Sequence, residues 1–298
     1  MRDIPTSHVR PLDAASMALV VLLSLTWGFN QPAIKLAIND IPPLIQCGTR
    51  SFLATLIVLG WMRLRGVPIA KSDGTLKAGL AAGALFGLEF LLIYRGLLYT
   101  TASRAVLFIY LAPFFVVLGA RFVLPGDRFS VMQWLGLLLS FIGMLVAFGV
   151  PAPADNPRQL LGDVMMVGAA AAWAATTLTI KVSALGRASP EKTLLYQLVV
   201  CVPIVGLGAL LFGERITAMP SAIAWGSLAY QTLVVSTTFI AWFALIVRFS
   251  ANRLSAFTFL TPLFGVAAGH LVLNEPLTPA FALAVVLVAG GLILVNRR

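Results

Sequence analysis

The chain has 298 residues, of which 59% are hydrophobic and only 11% charged, with a formal net charge of +10 at pH 7. Soluble domains carry about 25% charged residues, so this balance excludes an ordinary water-soluble protein and points to an integral membrane protein. The basic excess by itself would admit a nucleic-acid partner, and the placement of the basic residues decides against one.

Apolar runs recur from end to end. At about 1.5 Å of rise per residue, each is long enough to cross a hydrocarbon core of about 30 Å as a helix. Strands of a membrane barrel would alternate instead, so the expected fold is an all-α integral membrane protein with ten transmembrane helices. The first span, 14–37, lacks the charged start and small-residue cleavage site of a secretory signal and is read as retained. On a helix its Trp27, Asn30, Gln31 and Ile34 share one face. Asn30 and Gln31 would be costly in lipid, so they either line an internal cavity or bond a neighbouring helix.

The second span, 43–62, holds Cys47 and Arg50, and the third, 77–98, holds Glu89. A charge near the bilayer centre costs about 2.5–3.5 kcal/mol even on insertion scales. Arg50 and Glu89 fall at similar depth, so an ion pair between neighbouring helices is expected, structural or gating. The sharper alternative makes Glu89 a proton carrier in coupled transport. The third span also reads Gly79-x3-Gly83-x3-Gly87, a spacing of small residues that lets helices approach closely. In the fourth, 103–123, Tyr110 precedes Pro113, whose missing N–H and bulky ring loosen a helix into a hinge or a static kink. The fifth covers 130–149.

The Pro-rich "GVPAPADNP" (149–157) leads into the sixth span, 160–181. Asp163 near its start reads as a partner for the helix dipole, and Trp173, Thr176, Thr177 and Ile180 share a face. The seventh, 192–212, holds Cys201, which like Cys47 reads as a small apolar residue. The eighth spans 221–246. The ninth, 254–273, sets Thr258 and Thr261 beside Pro262, a second hinge candidate, and repeats the small-residue spacing at Gly265-x3-Gly269. The tenth covers 278–296. His8 and His270 make no metal cluster and no glycine-rich phosphate loop occurs, so no cofactor, no metal and no enzymatic activity are expected.

The chain is similar to itself at long period. "WGFNQPAIK" (27–35) aligns with "WAATTLTIK" (173–181) at an offset of 146, and "SRAVLFIYLAPFF" (103–115) with "NRLSAFTFLTPLF" (252–264) at 149, which sets Pro113 opposite Pro262. Gly143 falls opposite Gly291 at 148. The expected organisation is therefore two five-helix repeats, 1–149 and 150–298. Because five is odd, the second inserts upside down, an architecture of transporters whose substrate site lies between the halves. With the N-terminus inside, fifteen Lys and Arg fall on inner segments and five on outer ends, while Arg50 lies within a span. This is the positive-inside pattern, so both termini are expected in the cytoplasm and the basic excess is topological.

The segments "TWGFNQPAIK", "TRSFLA" (49–54), "AAWAATTLTIK", "ASRAVLFIYLAPFF" and "ANRLSAFTFLTPLFGVAAGHLVLNEPLT" carry a resemblance over nearly the whole chain. They resemble the EamA-type ten-span members of the drug/metabolite transporter superfamily. Asn274-Glu275-Pro276 looks like that family's signature, whereas the corresponding first-half turn, Pro125-Gly126-Asp127-Arg128, lacks the glutamate. The resemblance implies a bacterial inner-membrane carrier, commonly an exporter of amino acids or related metabolites. It also implies that Glu89, Tyr110, Trp173 and Trp242 stand at or beside a central cavity. Aromatic walls from Trp27, Tyr110, Trp173 and Trp242 suit a zwitterion or neutral metabolite better than a phosphate ester, which would call for several Lys or Arg. The expected partners are a small-molecule substrate and membrane lipid, with the oligomeric state open. A broad drug or metabolite carrier is the alternative within transport, and a membrane scaffold or lipid-handling protein the alternative outside it.

Overall fold

A computed structural model describes residues 12–69, 73–124, 129–151, 153–154, 156–273 and 277–297. The turns at Pro125–Arg128 and Asn274–Pro276, and the side chain of Gln31, lie outside the described residues. Eight spans are continuous helices: α1 (Ala14–Ala37), α2 (Pro43–Leu64), α3 (Leu76–Gly96), α6 (Val131–Phe148), α7 (Pro157–Val182), α8 (Pro190–Leu211), α9 (Ala222–Arg248) and α12 (Pro279–Asn296). The other two are each broken once, into α4 (Ala102–Ile109) with α5 (Ala112–Val123), and α10 (Ala251–Phe257) with α11 (Leu260–Leu273). Ten spans are thus long and apolar enough to cross a membrane among the described residues.

Helix starts follow the need to satisfy amides that have no partner one turn back, a need lipid makes acute. Asp13, Thr101, Ser130, Asn156, Ser189, Ser221 and Ser250 each accept a bond from a backbone N–H in the first turn of the helix they precede. Asp163 does not have the capping part expected of it. Asn156 caps α7, and Asp163, buried farther along, accepts two bonds from Arg104 Nε (3.1 and 3.2 Å) and one from the Thr100 hydroxyl (2.6 Å). The carboxylate ties α4 to α7 because an arginine fork 59 residues away satisfies it more fully than a dipole does.

The exterior is apolar, with Leu22, Phe52, Phe122, Leu207, Leu210 and Val286 exposed, while Gln46, Gln197, Gln231 and Thr258 are wholly buried. Lipid is as apolar as leucine, so close backbone packing and internal hydrogen bonds hold the helices together. The glycine ladder of α3 does this against α8: a methyl group on Gly83 would lie 2.7 Å from Tyr196 O, and one on Gly87 2.7 Å from Ile204. Gly28 of α1 meets Phe264 and Gly265 of α11 just as closely.

Helices α6 and α12 run antiparallel, with Gly136 against Gly291 and Val295, and Gly143 against Ala284 and Val288. Gly291 touches Gly136 and Ser140, and Gly143 touches Ala284 and Val288. One offset interchanges these contacts, since 291 − 143, 284 − 136 and 288 − 140 all equal 148. Likewise α3 packs on α7 and α8, and α9 on α1 and α2.

At one end of the bundle the loop before α3 is tied to α8. Asp73 Oδ2 lies 2.8 Å from Lys192 Nζ, and the Thr75 hydroxyl lies 3.1 Å from the Tyr196 hydroxyl. Lys192, followed by the bonds from Thr75, holds the Asp73 carboxyl well below the usual carboxylate range. A lowered native pKa gives stability that is present above the ordinary Asp pKa and is lost as pH falls through the native value. Asp73→Asn is therefore expected to lower the thermal midpoint of the purified protein at pH 7. The gap to the parent should shrink as the buffer is taken well below pH 4, where a gap that stays constant would count against the ion pair.

Candidate functional site

The helices leave a cavity of about 210 Å³ whose lining comes from α1, α2, α3, α4, α7, α8, α9 and α11. Its wall is mainly aromatic. Trp27 stands edge-on to Trp242 (centroids 5.3 Å apart, 79°) and beside Phe239 (5.5 Å), with its indole N–H donating to the Thr238 hydroxyl at 2.9 Å. Across from this cluster, Tyr110 meets Trp173 edge-on at 6.0 Å. Such edge-on pairs hold each ring in place and present its face or edge to whatever fills the space.

Of the residues singled out from sequence, the structure brings Trp27, Asn30, Arg50, Glu89, Tyr110, Trp173, Thr177 and Trp242 to this one cavity. Thr258 is not there. It is fully buried, and its hydroxyl donates back to Ser255 O at 2.6 Å; Thr261, three residues on, takes the lining position. The reason is local: past the break after Phe257 the chain tightens, with Thr258 N bonded to Ser255 O and Thr261 N to Thr258 O, three residues back in each case. That tightening turns Thr258 inward and Thr261 toward the space.

Pro113 and Pro262 mark the two broken helices. Pro113 sits in the first turn of α5 just after the gap at Tyr110–Leu111, and Pro262 in the first turn of α11 just after Thr258–Phe259. Neither proline can donate to the carbonyl four residues back, so the helical ladder fails just before α5 and just before α11. Tyr110, in the first gap, therefore reaches the cavity from a position at which an unbroken helix would have continued.

The expected ion pair between Arg50 and Glu89 is not formed: no salt bridge joins them within 4.0 Å, although both line the cavity. The Arg50 guanidinium instead lies over the Phe90 ring (4.4 Å) and near that of Tyr94 (5.5 Å), and Nη2 points to Cys47 Sγ at 3.7 Å. Depth alone suggested the pair. Phe90 and Tyr94, on the same helix as Glu89, hold the guanidinium by its planar face, which only the folded arrangement of α2 on α3 reveals.

Sequence reasoning passed over Phe86, Phe90, Phe239 and Gln197, all of which line the cavity. Gln197 carried a readable signal as the lone amide in "LLYQLVV" (194–200). It is wholly buried, and neither its oxygen nor its nitrogen has a hydrogen-bond partner.

The cavity extends toward one end of the bundle, to Leu97 and Ala102 at the turn between α3 and α4. The other end is bound together by its own ties. Lys181, at the end of α7, donates to Ile246 O (2.7 Å), Val247 O (3.3 Å) and Phe249 O (2.6 Å), gathering the last carbonyls of α9, and the Asp73–Lys192 tie stands at the same end. A cation on free C-terminal carbonyls satisfies both charge and hydrogen bonding.

The EamA-like transporter family profile matches the chain twice, over residues 14–149 and 160–297. Among known proteins, the chain is similar to the uncharacterized transporter YoaV of Bacillus subtilis (strain 168), with 24% identity over 92% of this chain and 94% of that protein. It is similar to the uncharacterized inner membrane transporter YedA of Escherichia coli (strain K12), with 22% identity over 96% and 90% of the two chains. It also matches a protein of the same strain described as a probable amino-acid metabolite efflux pump, with 26% identity over 92% of each. One solved crystal structure superposes with a TM-score of 0.80 over 95% of this chain and 98% of that one, at 19% identity, which is a likeness of fold. Since the two matched stretches together take in all ten spans, the chain is a multi-pass membrane protein that belongs to the EamA-like transporter family.

Proposed function

We propose that this protein is a secondary transporter that exports small organic solutes, above all amino acids, across a bacterial inner membrane by alternating access. The observation that carries the reading is the cavity between helices of both halves, walled by Trp27, Tyr110, Trp173 and Trp242 and holding a few polar groups, with Arg50 its only Lys or Arg among the described residues. A carrier of phosphate esters would commit several such cations. Relatives described as probable amino-acid metabolite efflux pumps in Escherichia coli and Salmonella typhimurium support the amino-acid class.

In this reading residues 1–149 and 150–298 are the two repeats, inserted in opposite senses, which is supported by the contacts of α6 and α12 that one offset interchanges. Both termini face the cytoplasm, by the fifteen-to-five distribution of basic residues. The cavity then extends toward the outside, and Lys181 holds the cytoplasmic end closed. The breaks at Pro113 and Pro262 are the hinges about which the opposite end opens.

The aromatic wall also favours a second reading, a broad drug or metabolite carrier, because stacking surfaces accept many flat apolar solutes. Counterflow decides between them. Proteoliposomes preloaded with an unlabelled amino-acid mixture are expected to take up labelled amino acids saturably. If an intact protein moved no amino acid but moved aromatic cations or other metabolites, the second reading would replace the first.

A further inference from the structure

Arg50 and Glu89 are set in the cavity in an unusual state: an acid and a base, 2% and 8% exposed, that do not pair with each other. Arg50 has aromatic faces and a thiol as its neighbours, and its Nε is buried with no hydrogen-bond partner. Five donors on a fixed plane are poorly served by such groups, whereas a carboxylate matches two of them at once. Around the same space, Asn30 Oδ1, both amide atoms of Gln197 and Thr261 Oγ1 are buried without hydrogen-bond partners. Unpaired buried polar groups are expensive, so a cavity that collects this many is completed by something polar.

We infer that Arg50 and Glu89 read the two charges of a zwitterion: an α-amino acid seats its carboxylate against Arg50 and its ammonium against Glu89, with its side chain among the tryptophans. This rests on the amino-acid reading above and names the groups that execute it. With the ligand seated, guanidinium faces carboxylate and carboxylate faces ammonium, so a zwitterion leaves no uncompensated charge in the membrane. A simple amine would leave Arg50 unmatched, a simple carboxylic acid would leave Glu89 unmatched, and acidic or basic amino acids would bring a third charge. Asn30, Gln197 and Thr261 supply further bonds to the ligand's backbone atoms. The substrate class is therefore amino acids with uncharged, apolar or aromatic side chains.

The test uses the purified full chain in detergent and the labelled amino acid that gives the strongest counterflow. Displacement of that label is measured with three unlabelled competitors: the same amino acid, its carboxamide, which lacks the negative charge, and its N-acetyl derivative, which lacks the positive one. Each derivative is expected to compete at least about tenfold more weakly than the parent, because each strands one buried charge. Arg50→Gln should bring carboxamide and parent close to equal potency, Glu89→Gln should do so for the N-acetyl compound, and Arg50→Lys should retain the preference for a free carboxylate. The competition on the unmodified protein stands even if a variant does not fold. Equal potency of all three competitors would overturn the charge assignment and leave the amino-acid reading in place. Absence of counterflow with every amino acid would overturn both.

Discussion

Trp173→Ala is expected to reduce amino-acid counterflow about ten- to a hundredfold while the protein stays folded. Trp173 is half-buried on α7, lines the cavity, and is held edge-on by Tyr110 at 6.0 Å. A ligand side chain seated against it loses an apolar contact worth about 1.5–3 kcal/mol when the ring is removed, and each 1.4 kcal/mol is about a factor of ten in affinity. The experiment compares initial counterflow rates at equal protein per liposome, with the thermal midpoint in detergent as the folding check. Trp61→Ala is the control, since Trp61 is 45% exposed on α2, away from the cavity, and should leave the rate unchanged. Full counterflow by a folded Trp173→Ala protein would remove the repeated tryptophan motif from the substrate site.

Gly291→Leu is expected to destabilise the protein more than any change on the lipid face. Already at the first carbon of a side chain, position 291 collides with Gly136 O and with the hydroxyl and backbone of Ser140. A flexible neighbour could swing aside, but a helix backbone cannot, so α6 and α12 must separate along their length. Overpacking of a close seam costs about 1–3 kcal/mol, and the bond from Gln133 Nε2 to Val295 O (3.0 Å) in the same interface would be lost with it. The measurable result is a clear drop in thermal midpoint, with Val286→Leu, 66% exposed on the same helix, as the comparison that should change little. Gly143→Leu should resemble Gly291→Leu, because its added carbon would meet Ala284 O at 3.0 Å and Val288 at 2.8 Å on the matching side of the seam. A marked difference between the two would argue against the equivalence of the halves.

The number and limits of the ten spans were readable from the sequence because membrane thickness sets the length of any apolar run that crosses it. Expected and observed spans agree closely, as with 14–37 against Ala14–Ala37 and 278–296 against Pro279–Asn296. The interruptions were readable too, since the missing amide of Pro113 and of Pro262 is a property of those residues alone. Helical periodicity even put Trp27 with Asn30, and Trp173 with Thr177, on faces that the structure turns to one cavity. These are all consequences of local chemistry or of the solvent, and a sequence contains both.

Only the tertiary structure decided which groups meet across helices. Depth placed Arg50 and Glu89 at one level, yet the rotation of α2 against α3 lays the guanidinium over Phe90 and leaves the carboxylate to the cavity. Asp163 stood close to a helix start and was given to the dipole, while the fold gave it to Arg104. Thr258 was the site candidate and Thr261 only its neighbour beside Pro262, until the tightened turn after Phe257 turned the first inward and the second toward the space. Each of these outcomes depends on interhelical register, which is set by how closely glycines such as Gly28, Gly83 and Gly291 let backbones approach. That distance is a sum over many contacts distant in sequence, so the sequence determined a ten-helix membrane protein with polar faces to hide, and the packing of its helices chose which of those polar groups remain unpaired around the cavity.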